Sequence, residues 1–234
     1  MTNDPAASPL RRASAHFAGL EGFSSFAAYL DFKEQGLKPQ AKRAAEAFAR
    51  ALAGAPLEQG VEIVRALEAG RRSFADPPGF MPFPVAIAAA EVCKRWEEAE
   101  PGKAEPLLLR AAFERDPYLV TEAVRREPSH QGALKAEIRR QIAWMTDAFH
   151  HAHEGAVLAD KPELRAGIAE ARALCGRVEE AEFVQASQAV LEELAALTDG
   201  HDAWEAAGRP GDFPAFMRTR GVRIDAAATY YFAR

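Results

Sequence analysis

Long apolar runs are missing from this chain. None approaches the roughly 20 residues that a helix needs to cross a bilayer, so no membrane span is expected. Cysteine is nearly missing as well. Cys93 and Cys175 each stand alone inside a helical pattern, which excludes a disulfide framework and the Cys-x-x-Cys zinc and redox motifs. Both read as small buried apolar residues. Val and Ile are sparse beside abundant Ala, and no stretch alternates with period 2, so no substantial sheet is expected. Catalytic signatures are lacking too: there is no Gly-x-Ser-x-Gly, no phosphate-binding loop, no dinucleotide fingerprint and no His-Glu-x-x-His. The catalytic residues of an enzyme are therefore unknown at this level. A formal charge of -5 argues against a broad nucleic-acid surface. Met1 to Arg12 is polar and proline-containing, without the apolar core of a signal peptide, and the expected compartment is the cytoplasm.

What the chain does have is helix. Its 234 residues are 48% hydrophobic and 27% charged, enough for one substantial core or two small ones. The expectation is an all-α fold of antiparallel helical hairpins, packed as a bundle or a short repeat-like array. Residues 1–22 read as an arm or short helix, and 23–70 as an N-terminal helical subdomain. There Leu57, Val61, Val64 and Leu67 recur at helical spacing and mark a buried face. Residues 71–84, RRSFADPPGFMPFP, cannot be helix throughout because each proline removes a donor and restricts its predecessor. This stretch is the expected connection to a main helical domain at 85–234. Its phenylalanines read as packing over the core, with Phe80 and Phe83 as the alternative partner contacts.

One cluster suggests metal chemistry. In WMTDAFHHAHEG, Asp147, His150, His151 and Glu154 stand at i, i+3, i+4 and i+7, one face of a continuous helix. Imidazole nitrogen and carboxylate oxygen at that spacing suit a divalent metal. The counter-argument lies on the same helix: Leu134, Ile138, Ile142, Met145, Phe149 and Ala152 form its apolar stripe, so the quartet faces away from the core. Another segment, carrying His16, His130 or His201, would have to cover it. No other cofactor is expected. Arg218, Arg220 and Arg223 before Tyr230, Tyr231 and Phe232 make only a weak nucleic-acid footprint.

Residues 151–200 carry ten acidic and four basic side chains. Glu179, Glu180 and Glu182, grouped with Glu192 and Glu193 on one expected helix, read as a solvated face or a docking surface for a basic protein. Residues 119–140, LVTEAVRREPSHQGALKAEIRR, resemble the junction between tetratricopeptide repeats. Ala123, Pro128 and Ala133 fill the small-residue and helix-exit places, and Gly176 with Ala181 gives a second echo. Otherwise the chain is similar to bacterial helical proteins with no assigned activity. The resemblance implies a groove for another protein or a peptide, so the leading expectation is a helical interaction module, with Tyr118, Trp144 and Trp204 as possible anchors. The alternatives are a metal-binding protein or metal-dependent enzyme centred on the quartet, and a homo-oligomer subunit held by the aromatic loop.

Overall fold

The computed structural model describes residues 8–221, and these are helical throughout, with eleven α-helices, one 3-10 turn and no strand among them. No described helix is long and apolar enough to cross a membrane. The helices fall into two units that divide between Glu127 and Pro128.

The first unit holds α1 (Pro9–Ala18), α2 (Ser24–Glu34), α3 (Lys38–Ala53), α4 (Leu57–Ser73), α5 (Phe83–Ala99), α6 (Glu105–Glu114) and α7 (Tyr118–Arg126). Proline sets several of the starts. Pro9, Pro39, Pro84 and Pro106 occupy the first or second helical position, where a missing N–H costs nothing. Ser8 caps α1 by accepting the Arg11 N–H at 3.2 Å. Ser24, by contrast, is the first helical residue of α2 and makes no cap.

The core of this unit is a cluster of rings. Phe17, Phe23, Phe26, Phe48 and Phe80 are all buried. Phe26 meets Phe17 edge-on at 5.0 Å and Phe80 edge-on at 5.7 Å, the geometry that the ring quadrupole favours. Around the rings, small residues such as Ala27, Ala45, Ala49, Ala88 and Ala89 are buried and let neighbouring helices approach closely. Within α4, a Cβ on Gly70 would sit 2.4 Å from the Phe17 ring, so glycine is what admits that ring. The Glu68 carboxylate is also buried. Burial alone would raise its pKa, but hydrogen bonds from Arg71 and Arg72 outweigh that and hold it below the usual carboxylate value.

The proline- and phenylalanine-rich stretch does not separate two units; it lies inside the first. Helix α4 runs to Ser73 and α5 begins at Phe83, leaving a loop of 74–82. Phe80 fills the core, and the Tyr29 hydroxyl donates to the Gly79 carbonyl, so the loop is tied down at its tip. The consequence for the expected 85–234 domain is that α5, α6 and α7 belong with α1–α4.

The second unit holds α8 (Gln131–Ala148), a 3-10 turn (Ala152–Glu154), α9 (Lys161–Cys175), α10 (Ala181–Ala206) and α11 (Phe213–Thr219). Leu134, Ile138 and Met145 of α8 are buried with Leu164, Ile168 and Ala171 of α9 and Leu191, Leu194 and Leu197 of α10, as helical periodicity requires. The two thiols are buried as expected, Cys93 in the first unit and Cys175 in the second. Burial pushes the Cys93 thiol up to about 12.

Candidate functional site

The Asp147–Glu154 quartet loses its helix. Helix α8 ends at Ala148, and Phe149 already has non-helical backbone angles. The chain folds back so that the Leu158 N–H reaches the Ala148 carbonyl at 2.7 Å, while Gly155 takes a left-handed conformation. Asp147 therefore stays on the last turn of α8, His150 and His151 lie in a turn, and Glu154 closes the 3-10 turn. Glu154 pairs with His151 at 3.1 Å and with His153 at 3.4 Å. Among the described residues no group of three or more His, Cys, Asp or Glu side chains is placed to hold a metal ion. Of the histidines considered as helpers, His130 caps α8, its Nδ1 accepting the Ala133 N–H at 3.1 Å.

The acidic group at 179–182 is not one helix face either. Glu179 and Glu180 precede α10, and Glu182 lies in its first turn. Glu180 pairs with Lys135 at 2.7 Å, and negative charge at this end complements the helix dipole. All three glutamates are exposed. Arg223 and the 230–232 aromatics lie outside the described residues.

The aromatic loop builds a groove in the first unit. Its phenylalanines take opposite roles: Phe80 is fully buried, so the expectation of a partner contact there is corrected, whereas Phe83 is 77% exposed. The difference follows from helix phase. The buried stripe of α5 runs through Val85, Ala88, Val92 and Trp96. Phe83 and Ile87 stand about 200° from Val85 at 100° per residue, on the opposite side of the helix, and Ile87 is 49% exposed. Ile87 is identified as a site residue by its phase on α5, opposite the buried stripe.

The groove beside Phe83 has a volume of about 710 Å³. Pro77, Phe80, Met81 and Phe83 line one side, and Ala111, Ala112 and Phe113 of α6 the other. Four charged side chains rim it: Arg71, Asp76, Glu114 and Arg115. Three of them are neutralised in place. Arg71 is held by Glu68 at 2.7 Å and Asp76 at 3.0 Å, and Glu114 by Arg110 at 2.9 Å. Arg115 ends α6 in the left-handed conformation, at φ 57°, exposed and without an ion pair among the described residues. A wide trough of mixed polar and apolar lining, with one unpaired cation at its edge, can hold an apolar side chain and a carboxylate.

Tyr118 is 78% exposed, while Trp204 is 6% exposed and belongs to the core of the second unit. Ala123 is buried in the first unit and Ala133 in the second. Compared with protein-family models, curated proteins and solved structures, the chain matches none of them.

Proposed function

We propose that the chain is a helical protein-interaction module whose first unit docks a peptide segment carrying an apolar side chain and an acidic residue. The observation that supports this reading is Phe83, 77% exposed on the lip of a groove whose edge bears the unpaired Arg115. Single exposed apolar residues are ordinary, but a Phe and an Ile one turn apart on a helix, beside a concave surface, form the kind of patch that binding buries. The apolar side chain of the peptide displaces water from the trough, and its carboxylate meets Arg115. Buried aromatic anchors of this kind carry about 2 kcal/mol or more of binding energy, roughly 30-fold in affinity.

The experiment is a selection from a displayed random-peptide library, followed by fluorescence anisotropy on the enriched peptides. Leu- or Phe-bearing acidic sequences are the expected consensus. Phe83→Asp should weaken them about 30-fold, and Arg115→Glu should shift the preference toward basic peptides. Enrichment indifferent to both substitutions would remove the groove as the docking site. If instead the chain dimerises and Phe83→Asp makes it monomeric, a second copy is the occupant and the peptide reading fails.

A further inference from the structure

Resting on the reading of the groove as a peptide site, we infer that Tyr118, which stands outside the groove, is a second anchor. The docked segment then carries its acidic residue between two apolar side chains, and Tyr118 sets the identity of the second.

Among the described residues of the first unit, Tyr118 and Phe83 are the two most exposed large hydrophobic side chains, at 78% and 77%. The fold connects them through the wall of the groove. Helix α6 runs antiparallel to α5, with Glu114 beside Lys94 at 3.4 Å and Arg110 beside Glu97 at 3.0 Å. Its last turn lines the groove that Phe83 borders. Helix α7 turns back again, because the Ala104 N–H before α6 donates to Glu127 after α7 at 2.9 Å. The wall residues Ala111, Ala112 and Phe113, the rim cation Arg115 and the opening residue of α7, Tyr118, therefore follow one another in that order.

Local chemistry turns the ring outward. Ala123 is the buried residue of α7, and at 100° per residue Tyr118 stands about 140° away from it. Pro117 precedes the helix with φ -68°, and Asp116 accepts the Tyr118 N–H at 2.9 Å. Both fix the first turn, so the ring is offered from a rigid base and little freedom is lost when it is covered. A phenol also suits a wet rim, since its body covers an apolar group while its hydroxyl stays in water.

Arg115 lies between the groove wall and this ring. Its acidic neighbours are already engaged: Glu114 pairs with Arg110 at 2.9 Å and with Lys94 at 3.4 Å, and Asp116 takes the amide. An ion pair formed in open water contributes little. With one apolar side chain seated in the groove and another on Tyr118, water is displaced on both sides of the Arg115 pair, and the attraction strengthens. The carboxylate is therefore read in the middle of the segment rather than at its edge. From Arg115 to Tyr118 the chain spans at most about 10 Å, so in an extended segment the second apolar residue lies within about three positions of the acidic one.

The test uses the full chain and the tightest peptide enriched from the displayed library, together with versions carrying glycine at each position in turn. Binding is read by fluorescence anisotropy. Glycine at the acidic residue, or at either flanking apolar residue, should weaken binding about 10-fold. Tyr118→Ala should weaken the parent peptide about 10-fold, and Tyr118→Phe no more than about twofold. Against the peptide with glycine at its second apolar position, Tyr118→Ala should cost nothing further, since both replacements remove the same contact. Unchanged affinity in Tyr118→Ala, or two penalties that multiply, would overturn the second anchor, and a loss with Phe83→Asp would then leave the groove in place. Indifference to Phe83→Asp removes the groove reading, and the second anchor with it. The glycine scan leaves the chain itself intact, so a single apolar position in that scan overturns the second anchor even if the Tyr118 variants fail to fold.

Discussion

Phe26→Ala is expected to destabilise the first unit by about 3–5 kcal/mol, the usual cost of truncating a fully buried phenylalanine. The upper part of that range applies because of what surrounds the ring. Phe26 is completely buried and contacts Phe17, Phe48 and Phe80 at centroid distances of 5.0, 5.2 and 5.7 Å. Those neighbours are rigid, planar and themselves buried, so they cannot flow into the space left behind. The vacated volume persists as a cavity, and its walls lose their dispersion contacts. Urea unfolding followed by Trp96 fluorescence, with Trp144 and Trp204 replaced by Phe, isolates this unit. Phe83→Ala is the paired control, because its exposed ring should cost no more than about 0.5 kcal/mol. Equal losses at the two positions would show that the ring cluster is not the core.

Gly155→Ala should cost the second unit about 3 kcal/mol, from two separable causes. The first is backbone: Gly155 has φ +79°, where an L-residue pays about 1–2 kcal/mol. The second is space: the new Cβ would lie 2.5 Å from the Trp204 ring, which is only 6% exposed. Moving a buried indole aside costs a further 1–3 kcal/mol or so. Gly208 separates the two, since its φ is +78° and nothing lies within 4 Å of its Cβ position. Gly208→Ala should therefore show the backbone cost alone. Chemical denaturation read by Trp204 fluorescence measures both, and matching values would mean that the indole yields freely.

Most helices were legible from local chemistry. Pro39, Pro106 and Pro162 sit in the first turns of α3, α6 and α9, Pro56 stands just before α4, and Gly36 and Gly176 follow helix ends. The stripe from Leu134 to Phe149 was also legible, because periodicity of 3.6 depends only on which side of the helix meets a neighbour. The failures share one cause: each was decided by contacts distant in sequence. Residues 144–153 contain no breaker, so local reading extends α8 through the histidines. The return of Leu158 to Ala148 and the burial of Phe149 end it instead. Prolines at 77, 78 and 82 mark where helix stops, which is not where contacts stop, and Phe80 keeps the loop within its unit. Helix α10 runs on to Ala206, and within it Gly200 faces Met217 of α11, a closeness no local signal announces. Phe83 was legible as a candidate, but its contrast with Phe80 follows from the phase of α5. The contact of the buried His201 with the Gly155 carbonyl was not legible at all, since that carbonyl comes from 46 residues away.

The placement of the two thiols gives the molecule a pair of built-in clocks. Cys93 and Cys175 are each shielded in a different unit, so an alkylating reagent finds neither in the native state. Once a unit opens, its thiol returns to an ordinary acidity near 8.5 and reacts. The rate at which each residue takes up the label therefore records how often its own unit unfolds. Comparing the two marks along a denaturant series orders the openings of the units, without any probe being added to the chain.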